Sequence, residues 1–144
     1  MLSIVIDTNV FVTALRTRDV QASAARALLR AALNKKFQPL FGNALWLEYE
    51  DLLGRPSVWT EATTPEERFE VLRALAGVGR WVSVYYGWRP NLPDEGDNHL
   101  IELAVAGNAQ AIVTYNIKDV RRGQLLWPRL RVLTPQDCLK EFLL

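Results

Sequence analysis

Residues 3–9, Ser3-Ile4-Val5-Ile6-Asp7-Thr8-Asn9, constrain this fold more than any other stretch. An uncharged, β-branched run stops abruptly at an acid and two small polar side chains. A run that short and that uniformly apolar reads as a strand covered on both faces, the position of a central strand in a parallel sheet. Asp7 then stands at its carboxyl end, where open α/β sheets bind their ligands. The competing reading is that Asp7, Thr8 or Asn9 caps a following helix, as these residue types commonly do. Taken alone, capping is the stronger reading; the chain's other acids shift the balance.

Downstream, helix and strand patterns alternate. Val20 to Lys36 reads as a helix, with Ala24, Leu28, Ala31 and Ala32 at helical spacing and Lys35 and Lys36 at its end. Phe37 to Phe41 is a short extended segment in which Pro39 argues against a fully paired central strand. Ala44 to Leu53 is a helix with an arc of Leu45, Trp46, Tyr49, Leu52 and Leu53, and Glu48 on its margin. Thr64-Pro65-Glu66-Glu67 is a helix start with a capping box and Pro at the first position. Trp81 to Tyr85 follows as a strand. A helix beginning near Asp94 carries Leu100, Ile101, Ala104 and Val105 as its buried stripe, and Gly107 ends it. Ala111-Ile112-Val113 and Arg131-Val132-Leu133 are strands, and Thr134-Pro135 opens a terminal helix packed through Leu139, Phe142 and Leu143. This alternation predicts one domain over residues 1–144: a three-layer α/β/α fold with a mainly parallel central sheet.

Composition narrows the chemistry. The chain has 144 residues, of which 49% are hydrophobic and 23% charged, ordinary values for a globular domain. No stretch approaches the roughly 20 apolar residues that span a bilayer. The N-terminus has no basic segment, which argues against a signal peptide. One cysteine, Cys138, permits no internal disulfide and fits a reducing cytoplasm. A single histidine, His99, leaves little for zinc sites or serine-type triads, and Cys138 reads as a packing thiol rather than a nucleophile. If the chain is an enzyme, carboxylates do the work. Net charge is +1, so no global field marks a nucleic-acid binder. Lys118, Arg121, Arg122, Arg129 and Arg131 cluster late, either as a phosphate-contacting rim or as a solvated loop.

The acids are informative together. Asp97 projects into a core-facing stripe with Asp94 near it, an arrangement costly to desolvate without compensation. Helix capping accounts for one of them comfortably. Glu48 is equally an exposed helix glutamate or a member of a site. Right-handed crossovers bring the ends of parallel strands to one edge, so Asp7 and the 114–119 segment share a side with Asp97, and Glu48 is within reach. Crowded carboxylates raise one another's pKa unless a cation neutralises them. Oxygen-only ligands favour Mg²⁺ or Mn²⁺, and such an ion suits phosphodiester hydrolysis.

Four motifs in order then resemble a PIN-domain ribonuclease: Ile4-Val5-Ile6-Asp7-Thr8-Asn9-Val10, Glu48-Tyr49 in a helix, Pro93-Asp94-Glu95-Gly96-Asp97-Asn98 leading into Leu100 to Ala104, and Thr114-Tyr115-Asn116-Ile117-Lys118-Asp119. The sequence is most similar to the PIN-family toxins of bacterial toxin–antitoxin pairs, and Leu133-Thr134-Pro135 before a short helix extends the likeness to nearly the whole chain. The resemblance implies a metal-dependent endoribonuclease in which Asp7 and Asp97 hold Mg²⁺ or Mn²⁺. Glu48 would complete the ligand shell or orient the attacking water, and Asp119 would be a fourth acid. Thr8, Asn9 and Thr114 would support the site by hydrogen bonds. It further implies an RNA substrate, a small antitoxin partner and a possible homodimer. Lys118, Arg121 and Arg122 would hold the RNA backbone, with Trp88 and Tyr115 as base-stacking candidates against a packing role. Two departures stand out. Asn116 occupies a place where many relatives carry Asp, and Val120 replaces a usual aromatic. The alternatives are a nuclease or phosphatase acting on DNA or small phosphoesters, and an inactive PIN-like module that binds RNA or protein.

Overall fold

The structure, a computed structural model, describes residues 1–16, 20–59, 63–84, 95–124 and 127–144; for residues 20–21, 95–98 and 122–124 it describes the backbone alone. Among the described residues five strands form one parallel sheet: β1 (Ser3–Ile6), β2 (Gln38–Phe41), β3 (Arg80–Trp81), β4 (Ala111–Val113) and β5 (Arg131–Leu133). Their order is β3-β2-β1-β4-β5. The helices are α1 (Thr8–Arg16), α2 (Val20–Leu33), α3 (Asn43–Leu53), α4 (Pro65–Val78), α5 (Glu95–Ala106), α6 (Ile117–Gln124) and α7 (Pro135–Glu141).

This order places the crevice. From β1 the chain steps outward through β2 to β3, then crosses back to β4 and on to β5. Right-handed crossovers put connections of opposite direction on opposite faces of a sheet. Contacts agree: α2 packs on α1, α4 and α7, whereas α5 packs on α6. The direction reverses between β1 and β4, so the segments leaving these two neighbours diverge to opposite faces and open a gap at their carboxyl ends. The expected α/β/α layering with a parallel sheet is what the chain adopts, and β1 is buried throughout.

Several local expectations need correction. A helix not read from the sequence starts directly after Asp7, where Val10, Phe11 and Ala14 are buried at helical spacing. Helix α2 stops at Leu33 rather than Lys36, because Lys35 takes a left-handed φ of 61° while Lys35 and Lys36 N–H groups return to the Ala32 and Ala31 carbonyls. Asn108 performs the same turn after α5 at φ 56°. Gly107 beside it is needed for space, since a Cβ there would lie 2.5 Å from Leu40 Cδ1.

The expectation at Pro39 holds: it sits in an inner strand, opposite Ile4, but that strand is not fully paired. The Gln38 N–H points to β1 at 2.8 Å from Leu2 O, so by alternation the missing N–H of Pro39 faces the other side. There β3 begins only at Arg80, opposite Leu40, so no ladder bond is lost. Strand β3 is correspondingly short, two residues where a strand to Tyr85 was expected; Tyr85 lies outside the described residues. Leu143 does not pack: it is 91% exposed, and α7 is held by Leu139 and Phe142 instead. Cys138 is buried, and burial, with the Glu141 charge second, pushes its thiol up to about 12. Among the described residues no helix is long and apolar enough to cross a membrane.

Candidate active site

The site begins where β1 runs out. Asp7 N–H still bonds Val113 O at 2.9 Å, extending the ladder one residue, while Asp7 O accepts from Val10 N at 3.1 Å and starts α1. Asp7 therefore stands at the start of α1 through its backbone carbonyl, while its side chain meets other partners. Thr114 Oγ1 donates to Asp7 Oδ2 at 2.7 Å, and Asn9 Nδ2 approaches the same oxygen at 3.3 Å. Only 6% of Asp7 is exposed. Burial raises its pKa, the Glu48 charge adds to that, and the Thr114 hydroxyl, the Thr8 N–H and the His99 charge oppose it. No Lys or Arg among the described residues pairs with it.

Glu48 arrives from α3. That helix is pinned to the end of β1 by Tyr49, whose buried hydroxyl donates to Ile6 O at 2.8 Å and whose ring packs edge-on against Phe11. Thr8 joins the two acids: its Oγ1 is 2.6 Å from Glu48 Oε1 and 3.4 Å from Asp7 Oδ1. A hydroxyl has one hydrogen, and the distances assign it to Glu48. The other Glu48 oxygen, Oε2, lies 2.9 Å from His99 Nε2. This hydrogen bond, ahead of those from Thr8 and the His99 charge and against partial burial, lowers the Glu48 pKa. An ionised carboxylate only accepts, so Nε2 is the donor; Nδ1 is buried without a partner among the described residues.

Asn9 and Thr114 tie the two strand exits together. Asn9 Nδ2 reaches Thr114 Oγ1 at 3.3 Å, and its Oδ1 accepts from Tyr115 N at 3.2 Å. Thr114 Oγ1 also accepts from Asn116 N at 2.9 Å. The supporting roles expected of Thr8, Asn9 and Thr114 thus have hydrogen bonds behind them. The structure also brings in His99, which sequence reasoning had considered only for triads and zinc. Its signal was position: it follows Asp97 by two residues at the start of α5.

The other expected residues are less engaged. The Asp97 backbone is in the first turn of α5, but its side chain, like that of Arg122, lies outside the described residues, as do Asp94 and Trp88 altogether. Asp119 is half-buried in the first turn of α6, and no hydrogen bond or ion pair joins it to Asp7 or Glu48. The Asn116 side chain is exposed, as are Lys118 and Arg121, while Val120 is fully buried. Tyr115 is 39% exposed.

Among the described residues no three Asp, Glu, His or Cys side chains form a metal-ligand group. Asp7 and Glu48 nonetheless have the chemistry for a hard cation. Both offer oxygen, both lie close to the Thr8 hydroxyl, and no Lys or Arg among the described residues pairs with the buried Asp7. Asp97 precedes by two residues the histidine that already touches Glu48.

A family model described as the PIN domain matches residues 3–118, from β1 to the start of α6. It takes in Asp7, Glu48, Asp97 and Thr114 and stops one residue before Asp119. No curated protein matches the chain. PIN domains are generally nucleases that use divalent metals, and this chain belongs to the PIN-domain family.

Proposed function

We propose that the chain is a Mg²⁺- or Mn²⁺-dependent endoribonuclease, acting in the cytoplasm as the toxin of a toxin–antitoxin pair. One observation supports the chemistry above the others. Two acids 41 positions apart in sequence are brought together on either side of the Thr8 hydroxyl at the reversal point of the sheet, and no Lys or Arg among the described residues pairs with Asp7. Asp7, Glu48 and Asp97 would hold the ion, and Asp119 is a further acid at the rim. When bound, the ion supplies charge neutralisation at the phosphate and a more acidic water. Glu48, held at both oxygens by Thr8 and His99, is fixed in orientation and would complete the ligand shell or orient the attacking water. Thr114 and Asn9 keep the Asp7 carboxylate aimed. Lys118 and Arg121, exposed on α6, and Arg122 supply phosphate contacts along the approach to the site.

The toxin assignment rests on the resemblance of the four motifs, which also carries the small antitoxin and the homodimer. The exposed Asn116, an amide in a place where relatives carry an acid, favours a second reading: an inactive module that binds RNA or a protein partner. Cleavage of single-stranded RNA with Mg²⁺ or Mn²⁺, by wild type and by the Asp7→Asn and Asp97→Asn variants, tests the proposal. Expected are cleavage by wild type, none in chelator, and none by either variant while both remain folded. Equal cleavage by both variants refutes the acid mechanism. RNA bound equally well in chelator and never cut supports the inactive module, and preference for DNA or a small phosphoester replaces the substrate.

A further inference from the structure

A cavity of about 200 Å³ opens beside the acids, between the start of α3, the end of β3 and α5. His99 belongs to both places, since its Nε2 holds Glu48 and its ring lines the cavity. Another wall is Trp81, 54% exposed and steadied by an edge-on contact with Trp46 at 6.3 Å between ring centres. Leu103 supplies apolar surface, and Asn43, Ser83 and the buried carboxylate of Glu102 supply polar groups.

We propose that this cavity is the subsite for one unpaired nucleobase of the substrate strand, stacked on Trp81 beside the scissile phosphate. Three features select that occupant. The volume is below the roughly 300–1,000 Å³ of pockets for drug-sized ligands, so it takes one planar ring system rather than a whole nucleotide. Among the described residues no Lys or Arg lines it to hold a phosphate, so the base enters and the backbone stays outside. A half-exposed indole held by a neighbouring ring is the surface on which unpaired bases stack. The shared His99 sets the base next to Glu48, and hence next to the bond to be cut.

The subsite rests on the ribonuclease reading, and the test separates the two. Short single-stranded RNAs, intact or abasic at one position at a time, are bound to the full chain in EDTA and followed by fluorescence anisotropy. On wild type, one abasic position weakens binding by about 5- to 150-fold, the effect of losing one stacked base. Trp81→Ala binds the intact RNA more weakly by a similar factor and is indifferent to that position, and Trp81→Phe restores most of both. Unchanged affinity in Trp81→Ala, or a positional penalty that persists in it, overturns the subsite. Hydrolysis of bis(p-nitrophenyl) phosphate by wild type with Mn²⁺ reports on the acids alone, because that substrate has no base. Its presence beside an unchanged Trp81→Ala overturns the subsite and spares the nuclease; no hydrolysis of it or of RNA overturns the nuclease reading.

Discussion

Replacing Thr114 by valine removes one hydroxyl from the centre of the site while keeping its shape. Thr114 is fully buried, and its hydroxyl donates to Asp7 Oδ2 at 2.7 Å. A hydrogen bond to a charged group contributes about 1.5–3 kcal/mol, and its loss leaves a buried carboxylate with one donor fewer. The other two partners lose less: Asn9 Nδ2 keeps Asp7 Oδ2, and the part-buried Asn116 N–H can turn to water. The expected cost is about 2–4 kcal/mol in chelator near pH 8, or a fall in Tm of roughly 6–13 °C for a chain of this length. The cost depends on pH with a definite sign. Burial raises the folded-state pKa of Asp7 above its unfolded value, so this group's stabilising contribution is full below the unfolded pKa and lost as pH rises through the folded one. The Thr114 bond opposes that rise, so its removal widens the loss at high pH and matters less where Asp7 is protonated. Urea unfolding of wild type and Thr114→Val, in EDTA at acid and alkaline pH, measures both. In an Asp7→Asn background the valine costs only about 0.5–1.5 kcal/mol, the value of a neutral hydrogen bond. An equal cost at both pH values and in both backgrounds refutes the account of Asp7 as a strained buried charge.

Other outcomes follow from neighbouring contacts. Asp7→Asn removes a destabilising buried charge, so in chelator near pH 8 it raises Tm or leaves it unchanged, a result that scanning calorimetry checks. The pKa of Glu48 is lowered chiefly by His99, so its contribution is present above the unfolded value and lost as pH falls through the folded one; His99→Phe flattens that acid limb in a pH series of urea midpoints. Arg68 is buried, bonds Thr63 O at 2.7 Å and Leu53 O at 3.4 Å, and lies 4.5 Å over the Trp59 ring. Arg68→Met therefore costs about 2–4 kcal/mol in urea unfolding, and Arg68→Lys, without the planar fork, recovers little of it. At Gly79 a Cβ would stand 2.7 Å from Pro39 O and 2.9 Å from Phe41 Cε2, so Gly79→Ala lowers stability by about 1–3 kcal/mol by the same measurement.

The sheet was legible because its strands announce themselves: Ile4-Val5-Ile6 and Ala111-Ile112-Val113 are short apolar runs that end in polar residues, and both lie buried as neighbours. The capping box at Thr64 was legible for the same local reason, and its hydroxyl accepts from Glu67 N at 3.2 Å. Helix α1 was hidden because Thr8 and Asn9 read as the polar end of a strand, and their helical conformation is decided by packing of Val10 and Phe11. Pro39 was a sound guide to incomplete pairing: its strand is inner, but on the β3 side pairing starts only at Leu40. In the site, Asp7 and Glu48 followed from residue type and topology. The part played by His99 did not, since nothing along the chain specifies which side chain an imidazole 51 positions away will meet. Asp119 stands in the first turn of α6 on residue type and topology alone.

The hydroxyl of Tyr49 on Ile6 O has a consequence for how the two acids keep their separation. Each anchor point is the residue immediately preceding or following an acid, Ile6 before Asp7 and Tyr49 after Glu48. The helix and the strand are thus riveted one covalent step from the working groups. A slip of α3 along the sheet would shear that rivet before it moved Glu48. The gauge of the gap between the two acids is accordingly set by an aromatic residue deep in the apolar interior.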